Sequence, residues 1–109
     1  MINIKYNPKT MRITIKGHAG TAPAGQDIVC AGVSAVFYNL ANVLKYYPDD
    51  AWKKPIEFKD ESGNAALKVY PKAELEANVR HEYAYCFIGF QMLAEAYPER
   101  IQFDVVPAK

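Results

Sequence analysis

Apolar and polar residues alternate with a period of two over Ile2 to Tyr6 and again over Met11 to Lys16, with Asn7-Pro8-Lys9 supplying turn chemistry between them. Two adjacent strands are predicted. Met11, Ile13 and Ile15 share one face, and Arg12, Thr14 and Lys16 the other, the pattern of a sheet covered on one side only. Gly17 to Gln26 holds three glycines and a proline, so no regular element persists through it. From Asp27 the spacing changes to three and four: Val29, Val33, Val36, Phe37, Leu40, Val43, Leu44 and Tyr47 form a helix stripe that ends before Pro48. Lys53 to Lys59 and Asn64 to Pro71 alternate roughly about the turn cluster Asp60-Glu61-Ser62-Gly63 and predict a second hairpin. Leu75, Val79, Tyr83, Phe87, Phe90, Leu93, Ala94 and Tyr97 make a second helix stripe closed by Pro98, and Ile101 to Val105 alternates as a last strand.

The order β-β-α-β-β-α-β predicts an α+β fold, a mainly antiparallel sheet with two amphipathic helices on one face. A chain of 109 residues, half of them hydrophobic, is one domain with one core and needs no staple. Thirteen basic against twelve acidic side chains leave a net charge of +1, and the lysines are scattered, which gives no case for a nucleic-acid or membrane partner. No leader pattern or membrane-length apolar run stands in the sequence, so a cytoplasmic location is expected. Cys30 and Cys86 form no CxxC unit, and in a reducing compartment they remain thiols; neither metal nor cofactor is expected.

One run carries candidate chemistry: Gly17 to Ser34 puts His18 at a strand end and Cys30 at a helix start. A thiolate is the attacking species of a cysteine hydrolase, and it is favoured by the positive end of a helix dipole and by a nearby imidazole. Asp27 has the type and position of an N-cap for the N–H of Val29 or Cys30, while its charge opposes the thiolate. Ser34 lies one turn beyond Cys30 on the same face, placed either to meet the sulfur or to bond back to its own helix. His18 shares parity with Lys16 and should be accessible; alone, a strand-end histidine is ordinarily a surface residue, and its pairing with Cys30 across the loop is what suggests a base. Between them Ala19, Gly20, Pro23, Gly25 and Gln26 read as a mobile lid, or simply a connector. Cys86 reads as a small buried hydrophobe, and His81 as a fallback base on an exposed helix face.

Gly17-His18-Ala19, Gly25, Asp27-Ile28-Val29-Cys30-Ala31 and Val33-Ser34-Ala35 together resemble the signature of the ribosomal-processing cysteine protease family, Prp. The resemblance extends over the chain, to Ala94-Glu95-Ala96-Tyr97-Pro98 and the strand that follows. It implies a cysteine endopeptidase, a homodimer, that removes an N-terminal extension from a large-subunit ribosomal protein precursor; phage relatives would act on a capsid or scaffold precursor. Cys30 would be the nucleophile and His18 the base, with Gly17, Asp27 and Ser34 organising the site. Gly32 departs from the more usual alanine. The N–H of Cys30 is expected among the oxyanion donors. An apolar, aromatic cleavage site implies a groove to which Tyr38, Tyr83 and Phe87 are candidates, though a place in the core is the favoured account of each. The alternative from another class is a non-catalytic dimeric module that binds such a precursor.

Overall fold

The structure, a computed structural model, describes residues 1–20 and 27–106. Five strands, β1 (Ile2–Asn7), β2 (Arg12–Lys16), β3 (Glu57–Glu61), β4 (Asn64–Lys68) and β5 (Ile101–Val105), form one sheet in the order β3-β4-β2-β1-β5. All neighbours are antiparallel except β1 and β5. The helices α1 (Ile28–Leu44) and α2 (Glu76–Ala96) cover one face, as the alternation predicts.

The core follows from register. Ile4 stands beside Ile15 and Phe103, and Tyr6 beside Ile13, so the inward residues of successive strands form continuous rows. Onto these rows α1 lowers Val29, Val33, Phe37, Leu40 and Leu44, and α2 lowers Val79, Tyr83, Cys86 and Phe90. Tyr6 stacks on Tyr83 with centroids 5.7 Å apart, and Phe37 stacks on Phe58 at 5.8 Å, tying α1 to the edge strand. Lys5, Arg12, Lys16 and Lys68, dispersed in the sequence, face outward together on the three central strands.

The two helices approach closely where a side chain is missing. A Cβ on Gly32 would lie 3.2 Å from Leu93 Cδ2, and one on Gly89 would lie 3.3 Å from Val36 Cγ1. The close approach of Leu93 at Gly32 thus stands against the ~1 kcal/mol of helix propensity that glycine forfeits.

Several boundaries differ from those the sequence predicts. Met11 stands outside β2, in the left-handed region (φ 54), where the turn closes with Asn7 Oδ1 accepting from the N–H groups of Lys9 (3.0 Å) and Thr10 (3.2 Å). In the second hairpin, Asp60 and Glu61 belong to β3 and the turn shrinks to Ser62-Gly63, because charged residues are well tolerated on an edge strand. Lys53 to Pro55 are not strand: a 3-10 turn at Asp49–Ala51 leads into one isolated bridge, Trp52 to Pro71. Helix α1 stops at Leu44, three residues before Tyr47, and α2 begins at Glu76, after a 3-10 turn at Ala73–Leu75.

Candidate active site

The strand β2 ends at Lys16, and the chain turns at Gly17 with φ +97; a Cβ there would stand 2.2 Å from the Met1 carbonyl oxygen. Only glycine meets both demands. The Gly17 N–H donates to Gly63 O at 2.9 Å, which fastens the end of β2 to the β3–β4 turn. The next carbonyl, of His18, accepts from the Met1 amine at 2.7 Å, and the side chain of His18 is exposed. Ala19 is buried, its oxygen accepting from the Arg100 guanidinium at 3.1 Å and its N–H directed at Cys30 Sγ at 3.5 Å.

Across from this strand end, Asp27 caps α1. Its Oδ1 accepts from Val29 N–H at 2.9 Å and Cys30 N–H at 3.0 Å, and its carbonyl accepts from Ala31 N–H at 3.0 Å. Cys30 is therefore the third residue of the helix, half-buried and free of any disulfide. Its N–H is engaged by the carboxylate, so the expected use of that group as an oxyanion donor does not match this arrangement. The donor beside the sulfur is Ala19 N–H instead. Ser34 is exposed one turn later, and its hydroxyl bonds neither the sulfur nor its own helix.

His18, Cys30 and Ser34 line one cavity of about 550 Å³ between α1 and the β3–β4 turn. Its wall carries the apolar Ile15, Val33 and Phe37 and the acidic Asp27, Asp60 and Glu61. The imidazole makes no hydrogen bond to Cys30 here; it rests against Gly63, whose Cβ, if present, would be 2.6 Å from Nε2. Tyr38 lines the cavity too, its phenol donating to Asp60 across the gap, an interaction that raises the phenol pKa. Gly20, at φ +71, is on the wall, whereas Pro23, Gly25 and Gln26 of the expected lid lie outside the described residues.

Of the three aromatic candidates only Tyr38 is in the groove. Tyr83 is fully buried against Tyr6, and Phe87 packs on Phe103 of β5 at 5.2 Å, at the opposite edge of the sheet from the β3–β4 turn. His81 lies with Val43 and Tyr47 at the other end of α1, about 20 Å along the helix from Cys30, too far to serve as a base there. Burial pushes the Cys86 thiol up to about 11, in keeping with an inert core position. Among the described residues no three His, Cys, Asp or Glu side chains gather to hold a metal ion. In the sequence Asp60 and Gly63 look like turn residues alone, since nothing local signals that β4 pairs with β2 and carries that turn to His18.

A family model described as cysteine protease Prp matches residues 1–102. Ribosomal processing cysteine protease Prp from Staphylococcus aureus, in strains Mu50 and NCTC 8325, is 25% identical over 103 residues, covering 94% of this chain and 93% of the relative. The crystal structure of Staphylococcus aureus Prp with a covalently linked product peptide superposes with TM-score 0.78 at 22% identity, covering 97% of this chain and 100% of that one. The same protease with a substrate peptide gives TM-score 0.67 at 20% identity, with coverage of 96% and 97%.

Proposed function

Because the chain belongs to the Prp family of cysteine proteases, we propose that it cleaves an N-terminal extension from a large-subunit ribosomal protein precursor in the cytoplasm, with Cys30 as nucleophile and His18 as general base. The observation that carries this reading is the shared cavity: a half-buried thiol in the first turn of α1 and an accessible imidazole at the end of β2 border the same 550 Å³ of space.

In this reading His18 takes the Cys30 proton, and the thiolate adds to the scissile carbonyl. The imidazolium returns the proton to the leaving amine as the C–N bond breaks, and water then hydrolyses the thioester and releases the acid and the thiol. The oxyanion forms on a carbon bonded to Sγ, and Ala19 N–H, 3.5 Å from that sulfur, is the donor placed to meet it. Asp27 holds the first turn, and with it Cys30, in place. No cofactor enters any step.

A second copy of the chain is the partner proposed besides the protein substrate. Tyr85, Ile88 and Met92, which are 76%, 52% and 65% exposed, follow one another at helical spacing on α2 and supply an apolar face for an isologous dimer. Among the described residues no helix is long and apolar enough to cross a membrane.

The test incubates the full chain with a synthetic peptide of the host precursor's N-terminal region and reads products by mass, alongside Cys30→Ser and His18→Ala. Cleavage by the wild type alone is expected, and cleavage that survives Cys30→Ser overturns the mechanism. An intact peptide together with rapid alkylation of Cys30, Cys86 serving as the slow internal reference, transfers the reading to a phage capsid or scaffold precursor. Slow, equal alkylation of both thiols favours the non-catalytic binding module.

A further inference from the structure

The β3–β4 turn, in sequence a plain turn cluster, forms the part of the cavity wall against which His18 lies. Two independent contacts converge on Gly63. Its carbonyl accepts from Gly17 N–H at 2.9 Å, fixing the backbone one residue before His18. Its bare Cα faces the imidazole: an added Cβ would be 2.6 Å from Nε2 and 3.2 Å from both Cδ2 and Cε1, distances at which the ring has to move. The register places the turn there: Lys16 of β2 pairs antiparallel with Asn64 of β4, so Gly17, which follows Lys16, and Gly63, which precedes Asn64, are neighbours at the same sheet end. Gly63 is also at φ +70, which glycine adopts without cost.

We propose that Gly63 is a positioning residue for His18, its carbonyl anchoring the strand end and its missing side chain creating the seat in which the imidazole is held at the cavity wall. The proposal rests on the Cys30–His18 reading for its catalytic consequence, but the seat itself is a matter of geometry. A methyl at position 63 displaces the general base, and misplacement by about 1 Å is enough to lower proton transfer by on the order of 100-fold. Gly63 thereby joins Gly17 as a second glycine that sets the base, from a segment over forty residues away in sequence.

The experiment uses the full-length protein and two readouts. The first is NMR. The wild type is expected to show contacts between the Gly63 α-protons and the His18 ring protons, and Gly63→Ala is expected to shift the His18 ring resonances while those of His81 stay in place. Absence of the wild-type contact overturns the proposal without any variant having to fold, as do unshifted His18 resonances in a folded Gly63→Ala. The second is alkylation of Cys30 by iodoacetamide at pH 6.5 in a double-mutant cycle. Gly63→Ala is expected to slow it at least tenfold in the wild type and less than twofold in His18→Ala. Equal slowing in both backgrounds means that Gly63 acts through the general fold and not through His18, and also overturns the proposal. If wild type and His18→Ala react alike, the Cys30–His18 reading fails, and the seat is then decided by the resonances alone.

Discussion

Asp27 is buried, at 7% exposure, and its Oδ1 accepts from two backbone N–H groups at the start of α1. Asp27→Ala removes the acceptor and leaves both donors beneath the first turn without it. Loss of an N-cap costs about 1 kcal/mol in a typical setting and up to about 2 kcal/mol in a buried one, and an unsatisfied buried N–H adds on the order of 1 kcal/mol. A total of about 2–3 kcal/mol follows. For a domain of this size each kcal/mol lowers Tm by about 4 °C, so calorimetry at pH 7 is expected to show a fall of about 10 °C. Asp27→Asn retains an oxygen at the same place and gives up the attraction between the charge and the helix dipole, about 0.3–1 kcal/mol. Amide exchange at Val29 and Cys30 is expected to accelerate in the alanine variant and to change little in the asparagine one. Equal destabilisation by the two substitutions would refute the reasoning, because it would mean that the charge, not the acceptor, holds the first turn. A loss under about 0.5 kcal/mol for Asp27→Ala would do so as well.

Two further predictions concern the core and its edge. The hydroxyl of Tyr83 is buried and finds no hydrogen-bond partner among the described residues, so Tyr83→Phe should leave stability unchanged or raise it by up to about 1 kcal/mol in urea melts; a clear loss would contradict that environment. Tyr47 is pushed up to about 12 by desolvation and by its hydrogen bond to Glu82. The folded state therefore keeps a proton that the unfolded chain releases near pH 10, and stability contributed below pH 10 is lost as pH rises toward about 12. Urea midpoints measured between pH 9 and 11.5 should fall less steeply for Tyr47→Phe than for wild type, and identical slopes would exclude this linkage.

Much of the architecture was legible because it is local. Periods of two and of three to four mark which face of each segment is apolar, and Asn7, Asp27 and Pro98 punctuate the elements between them. The boundaries that shifted are those where local and tertiary forces compete. Asp60 and Glu61 look like turn residues but extend β3, since pairing with Ala65 and Asn64 satisfies their backbone and the open edge leaves the charges in water. Met11 looks like the first residue of a strand but adopts φ 54, because Asn7 closes the preceding turn and the buried side chain is worth the strained backbone.

The candidate site divides the same way. Sequence alone determined that a histidine closes one element and a capped cysteine opens the next, because Gly17 adjoins His18, Asp27 stands three residues before Cys30, and capping acts over three or four positions. Tertiary structure decided what surrounds them. The pairing of β2 with β4 brings Gly63 to the imidazole, the return of the chain after α2 brings Arg100 to Ala19, and the packing of α1 on β3 sets Tyr38 opposite Asp60. It also removed Tyr83 and Phe87 from the groove, since helical spacing identifies an apolar stripe without saying which neighbour the stripe will meet. Contacts between residues distant in the chain depend on which strands pair and in what register, and that is settled by the burial of the whole core at once.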